Sequence, residues 1–415
     1  WRIGYGLLTA PSGRLAYSLP ESVGMRSGNL RVIDDIVQKA LRDRAFPGCQ
    51  VLVARKGKVV FNKNYGSLSY NGQERVTDET VYDLASLTKV LGTLQAVMML
   101  NERGAIDLNQ KVSDYLPELQ NTNKRNMTVT DVLLHQAGLQ AGLMRAIERT
   151  KSAAGRSYFS SVRDSLHTLQ VAPSLYIIPS ARDSIWKWII QSPLTGRADE
   201  DGRYGFLYSD LSFVTLQKLV ERVTAQPLDI FLEETVYKPL GAGSLLFTPL
   251  EKRPGLKIAP TEQDNWFRNA LLQGTVHDQL AALQGGVSGH AGLFGNARDV
   301  AKVLQMNLQK GQYGGRRFLQ SATVPMFTRP ASERSHRSLG WDKPNPDGNS
   351  SYLAGQASIR SFGHTGFTGN VVWVDPDYDL VFVFLSNRVH PSAANNLINS
   401  QKVRRQIHEA IYKSL

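Results

Sequence analysis

The chain has 415 residues, 42% hydrophobic and 20% charged, with a single cysteine. This length and balance exclude a small module, a disordered or collagen-like chain and a coiled coil, and they allow a substantial buried core. The lone Cys49 excludes an intrachain disulfide framework and a Cys-rich zinc or iron–sulfur centre.

The 48 lysines and arginines outnumber 36 acidic residues, for a net charge of +12. The cations are scattered, as in Lys56-Gly57-Lys58 and Arg316-Arg317, with no basic run interleaved with aromatics. That pattern points away from nucleic acid and toward a solvated basic surface. No apolar run reaches the ~18 residues of a membrane span. The longest, residues 90–100, is interrupted by Gly92, Thr93 and Gln95 and reads as a buried helix.

The first residue is Trp1 rather than Met, as expected of a processed or excised chain. Residues 1–18 carry three glycines, a proline and no sustained period, and read as a linker or the tail of an upstream domain. From 28 to 44 the pattern is helical, with Leu30, Ile33, Ile36, Val37 and Leu41 on one face. Strands are expected at 50–54 and 59–64, joined by a hairpin at Arg55-Lys56-Gly57-Lys58. Helices are expected at 86–103, 129–135, 209–223 and 297–309, with short helices and a surface excursion over 142–203. Strands return at 370–374 and 380–385 around the breaker Asp375-Pro376-Asp377-Tyr378-Asp379, and 399–415 reads as an amphipathic helix.

Burying both hairpins is simplest if they pair into one antiparallel sheet with the terminal helices packed on one side. The expected fold is therefore mixed α/β (α+β), with 19–415 as one domain. Its α/β lobe takes about 19–85 and 350–415, its helical lobe about 86–349, and the cleft between them is the expected binding site.

The sharpest local feature is Ser86-Leu87-Thr88-Lys89, which opens an apolar helix directly after the strand section. A serine and a lysine three apart on a helix share a face. A serine hydroxyl needs a base to become a nucleophile, and lysine serves only if burial or nearby cations hold it neutral. A second match, Ser184-Ile185-Trp186-Lys187, sits among Arg182, Asp183 and Trp186 in the least regular stretch and lacks that setting.

Three ordered motifs give the chain a family resemblance. Ser86-Leu87-Thr88-Lys89, Tyr208-Ser209-Asp210 and His364-Thr365-Gly366 resemble the three motifs of the serine beta-lactamase and penicillin-binding protein superfamily. The segments 133–139, 115–118, 238–241 and 289–294 agree with it. The likeness covers about 20–415 and is closest to the class C branch, with its family VIII esterases and D-amino-acid peptidases. The class A motif Ser-Asp-Asn fails, because Leu211 follows Ser209-Asp210. Tyr5-Gly6 and 13–17 resemble the junction after a family 3 glycoside hydrolase module fused to such domains.

The resemblance implies that Ser86 forms an acyl-enzyme, that Lys89 accepts or relays its proton, and that Tyr208 shuttles the proton to the leaving group. Thr365 and Gly366 would lie beside the substrate, glycine leaving room for an extended chain. The N–H of Phe367 would join that of Ser86 in the oxyanion hole.

Two positions depart from the family pattern. His364 replaces a permanently charged lysine, so it would bind a substrate carboxylate only partly and with a limb near pH 6–7, which implies weak or absent beta-lactamase activity. Asp210 replaces an Asn and would raise the Lys89 pKa, or accept a substrate N–H or ammonium.

His135 and His290 read as backbone ties, and His277-Asp278 as a charged pair lining the cleft. No His-Glu-x-x-His or Gly-x-Ser-x-Gly occurs, so neither a metal nor a cofactor is expected, nor an α/β-hydrolase elbow. The leading expectation is a serine acyl hydrolase of small esters or D-amino-acid peptides and amides, periplasmic, envelope-bound or secreted by resemblance. The alternative is a catalytically impaired module that binds cell-wall glycan or peptide. A glycosidase would need paired carboxylates, and neither Asp107 nor Glu221 has an evident mate.

Overall fold

The computed structural model describes residues 13–143, 145–151, 158–200, 202–345 and 350–415. Tyr5-Gly6, which carries part of the resemblance to a glycoside hydrolase junction, lies outside these residues.

The fold is organised around a mixed six-stranded sheet. Strand β1 (Ala16–Tyr17) precedes helix α1 (Val32–Arg42), and the hairpin β2 (Gly48–Arg55) and β3 (Lys58–Gly66) follows. Helices α2 (Leu94–Glu102), α3 (Asp210–Thr224) and α4 (Ala297–Leu308) belong to the long middle section. Strands β4 (Phe362–Thr365), β5 (Val371–Asp375) and β6 (Leu380–Ser386) and helix α5 (Val403–Lys413) close the chain. The spatial order is β1-β3-β2-β6-β5-β4.

The hairpins join as expected, with Arg55 opposite Leu380 and Cys49 opposite Ser386. The sheet is not purely antiparallel, however. Ala16 and Tyr17 pair parallel with Lys58 and Val59, so the end of the segment read as a linker lies on the sheet edge. The intervening α1 and β2 supply the crossover that a parallel pair needs.

Strand alternation decides the layers. Val51 and Val53 face one core with Trp373, Phe382 and Phe384, packed on Ile33 and Val37 of α1 and Ile407 and Ile411 of α5. Leu52 and Ala54 face the other with Val372, Val381 and Val383, packed on Leu94, Val300 and Leu304. Both faces are covered, so β6 is buried along its whole length and reads as an unbroken apolar run. Cys49 sits in the first core, free and fully buried, its thiol pushed up by burial.

Local chemistry sets the element ends. Helix α1 carries Asp34 and Asp35 in its first turn and Lys39 and Arg42 in its last, matching the helix dipole. The hairpin turn places Lys56 and Gly57 at φ 50° and 71°, the paired left-handed geometry of a tight two-residue connection.

The expected helix over 86–103 is interrupted. Ser86 lies in a turn, residues Lys89–Thr93 form a π-helical turn, and regular α-helix starts at Leu94. Within the 142–203 excursion stands a small sheet ordered Phe159–Ser160, Leu175–Ile177, Leu169–Ala172, followed by helix Ala181–Gln191. Strands this short leave almost no alternation to read.

Phe384 is fully buried on β6 and meets Phe46 edge-on at 5.5 Å. Phe384→Ala is expected to lower unfolding free energy by about 3–5 kcal/mol in urea titration.

Candidate active site

Residues from three distant segments converge on Lys89. Its side chain has no solvent exposure, and Nζ lies 2.7 Å from Asp210 Oδ1. The same ammonium donates to Ser86 Oγ at 3.0 Å and to the His290 carbonyl at 3.1 Å. A buried ammonium without partners is prohibitively unfavourable, and three acceptors match its three protons. Burial alone would depress Lys89. The Asp210 carboxylate outweighs it, helped by Tyr208, and holds the ammonium above its ordinary range. The ion pair anticipated from the Tyr-x-Asp substitution is thus present, and Lys89 is charged at rest.

Ser86 is held by strained backbone. Ala85, its predecessor, adopts φ 47°, and the Ala85 N–H donates to Asp83 Oδ1 at 2.8 Å. A non-glycine residue in this region costs energy, and the surrounding contacts must enforce it.

Tyr208 precedes helix α3, which Ser209 caps by accepting from the Ser212 N–H. The Tyr208 ring lies 5.0 Å from Lys89 Nζ and 4.7 Å from the His135 ring. His135 Nδ1 accepts from the Ser209 N–H at 3.1 Å, the backbone tie expected of it.

His364 is neither exposed nor a titrating cation. It is 2% exposed, and burial with the nearby charges of Arg337 and Lys89 depresses its pKa to about 3, against a smaller opposing effect of Asp342. Its tautomer follows from its partners. The Thr365 carbonyl 2.8 Å from Nδ1 can only accept, and the Arg337 guanidinium 3.4 Å from Nε2 can only donate. The imidazole is therefore neutral, with its proton on Nδ1. The partial charge near neutrality expected from the sequence is corrected by this burial.

The permanent cation here is Arg337. Its guanidinium lies 5.2 Å from the Tyr208 ring centre and 5.7 Å from that of Phe206, and its side chain is 11% exposed. Asp342, 3.6 Å away, holds it from behind. No sequence signal marked Arg337, since its loop, residues 331–338, is simply polar and basic.

The third motif approaches the serine through main chain. A Cβ on Gly366 would fall 2.6 Å from the Leu84 carbonyl, so glycine is required by the protein's own packing rather than only by an arriving substrate. Phe367 is 56% exposed, its ring stacked on His277 at 5.5 Å with Arg388 4.7 Å from its centre. Among the described residues, neither the Ser86 nor the Phe367 N–H has an acceptor.

The expected His277-Asp278 pair is split. His277 Nε2 faces Glu262 at 3.0 Å, and Asp278 Oδ1 faces His290 Nε2 at 2.8 Å. Asp210, Asp278 and His290 place ligand-type atoms within 4.8 Å of one another. Lys89 supplies Asp210 with a cation, while Asp278 and the His290 ring pair with each other. The second Ser-x-x-Lys lies apart on helix Ala181–Gln191, with Ser184 bonded to Tyr158 and Lys187 exposed.

The family described as Beta-lactamase matches residues 33–403. The chain belongs to the beta-lactamase family. A Salmonella gallinarum protein named "Putative D-alanyl-D-alanine carboxypeptidase" is 32% identical over 413 residues, covering 93% of this chain and 88% of that protein. Among solved structures, a penicillin-binding protein homologue from Caulobacter crescentus superposes with a TM-score of 0.67 at 18% identity, covering 94% of this chain and 99% of that one. A family VIII carboxylesterase does so at 0.64 and 19%, over 94% and 99%. The protein is a serine hydrolase of beta-lactamase fold. Among the described residues no helix is long and apolar enough to cross a membrane.

A neutral His364 predicts a specific acid response. Below about pH 6.5 the unfolded imidazole takes a proton that the folded one refuses down to about pH 3, so stability falls as pH drops through this window. His408, also held near 3 by burial, adds to the same slope. His364→Asn should shrink the difference between urea midpoints at pH 5 and pH 7, and the His364 ring resonances should not titrate between pH 5 and 8.

Proposed function

We propose that the chain hydrolyses an ester or a D-amino-acid peptide or amide through an acyl-enzyme on Ser86. The observation that carries this is Ser86 Oγ held 3.0 Å from a fully buried Lys89 ammonium, which Asp210 and the His290 carbonyl fix from two other segments. Ser86 Oγ would add to the acyl carbon, and in one concerted relay its proton would move to the Tyr208 oxygen as Tyr208 gives its own proton to the leaving oxygen or nitrogen and that bond breaks. Water would then release the acyl group by the reverse relay. Lys89, paired with Asp210, acts in this scheme as a fixed charge rather than a base. The unpartnered N–H groups of Ser86 and Phe367 would receive the oxyanion.

Arg337 gives this reading a substrate preference. It is a fixed cation beside Tyr208 and His364, where the resemblance puts a carboxylate-binding lysine. Thr365 lies on β4, the last strand of the sheet, two residues beyond Gly363, where Asp342 pairs with the outer edge. A peptide ending in a free carboxylate fits the Arg337 cation, and the carboxypeptidase name of the Salmonella relative agrees. His364 lacks the charge of the family's lysine, but Arg337 supplies a fixed cation beside it, so the weak beta-lactamase activity expected from His364 alone does not follow from this reading. A periplasmic or envelope location, where a basic protein meets anionic polymers, belongs to the same reading, as does a preceding family 3 glycoside hydrolase module.

A fluorophosphonate probe should leave one adduct, mapped to Ser86 by mass spectrometry. Ser86→Ala should abolish both the adduct and p-nitrophenyl acetate turnover; turnover unchanged in that variant rejects the proposal and favours a binding module. Arg337→Ala should raise KM for a D-alanyl-D-alanine peptide by about 10–100-fold, the value of one charged hydrogen bond, with a much smaller change for the uncharged ester.

A further inference from the structure

An oxyanion hole works only if its two donors keep a fixed separation, and here they come from segments far apart in the chain, at Ser86 and Phe367. The structure joins those segments at one main-chain oxygen, the carbonyl of Asp83. Thr368 Oγ1 donates to it at 2.8 Å and Asn370 Nδ2 at 2.9 Å. The second Asn370 amide hydrogen goes to Thr368 Oγ1, also at 2.9 Å. Asn370 Oδ1 accepts from the Ser386 N–H at 2.9 Å, anchoring the group to the end of β6. Every side-chain donor of Asn370 and Thr368 is thus used, and the two residues are 0% and 1% exposed. A closed triangle of buried hydrogen bonds has little freedom to slide.

The remaining contacts fix each side of this junction. On the serine side, the Asp83 carboxylate receives the Ala85 N–H at 2.8 Å and the His277 N–H at 2.7 Å, which pins the turn leading into Ser86. On the other side, Arg388 Nε donates to the Phe367 carbonyl at 3.0 Å, and Arg404 Nη1 to the Asn370 carbonyl at 3.2 Å. Two buried arginines therefore hold both ends of the turn from Phe367 to Asn370. The 2.6 Å that a Gly366 Cβ would have to the Leu84 carbonyl measures how tightly the two segments are drawn together.

We infer that Thr368 and Asn370 are positioning residues that set the separation of the Ser86 and Phe367 amides through the Asp83 carbonyl. They touch no substrate and carry no proton in the reaction. This inference rests on the acyl-enzyme reading and adds to it two residues outside its motifs. Loosening the clamp should weaken binding of the tetrahedral oxyanion while leaving ground-state binding largely intact.

The test is Thr368→Val, which keeps the shape and removes the hydroxyl. With p-nitrophenyl acetate, kcat should fall about 10–100-fold, the effect of misplacing catalytic groups by about 1 Å, and KM should change less than about twofold. The Ki of phenylboronic acid, which forms a tetrahedral adduct on the serine, should rise by the factor lost in kcat/KM. Thr368→Ser should restore most of both. A lowered melting temperature with unchanged kcat and boronate affinity would assign Thr368 a merely structural role and overturn the inference. If Thr368→Val does not fold, Thr368→Ala read in the same two assays decides. Absence of any Ser86 adduct in the unmodified protein overturns this inference together with the proposed function. An adduct forming at equal rate in the unmodified protein and the Thr368 variants overturns this inference alone.

Discussion

One buried ammonium organises this molecule. Lys89 has no exposed surface, and a lone charge there would destabilise the fold by several kcal/mol. Its partners are therefore obligatory, and they come from the Ser86 turn, the start of α3 and the loop that carries His290. Satisfying one side chain draws three distant segments to a point. The π-helical turn at Lys89–Thr93 belongs to the same constraint, because π-turns recur at sites where helix regularity gives way to side-chain placement. The cost of burying that charge is offset by its ion pair with Asp210 and its hydrogen bonds to Ser86 Oγ and the His290 carbonyl.

The charges around Ser86 fall into two groups. Among the described residues Lys89 is matched by Asp210 at 2.7 Å, whereas Arg337 meets its carboxylate partner Asp342 at the longer 3.6 Å. A loosely matched cation retains field for a ligand; a tightly matched one serves as scaffold. His364 links Arg337 to the Thr365 carbonyl as a neutral ring, its tautomer dictated from both ends. Asp342 is also engaged by His336 and Tyr352, which hold it well below the ordinary carboxylate range together with Arg337 and against its burial.

Much of the sheet was legible because its signal is local. The runs at 50–54, 370–374 and 380–385 are mostly apolar and 59–64 opens on Val59-Val60-Phe61, and all fall within observed strands but for residue 370 at one edge. The motif serine, lysine, tyrosine and histidine were legible from spacing and family likeness. What escaped was non-local. Arg337 looks like an ordinary loop residue and Asn370 like the end of a strand until the chain is folded, and the neutrality of His364 depends on burial that no one-dimensional pattern states. The parallel edge strand at Ala16–Tyr17 is too short to show any period.

The sheet order has a consequence for biosynthesis. Strand β2 lies between β3 and β6, so the hairpin made near the start of the chain keeps one edge unpaired until residues 380–386 emerge. At ribosomal rates of about 5–20 residues per second, that apolar edge waits on the order of tens of seconds. Contacts spanning most of the sequence also close slowly. The nascent protein thus passes through a long stage with a sticky, half-finished sheet, when holding chaperones have most to bind and chain termination short of β6 yields aggregating fragments.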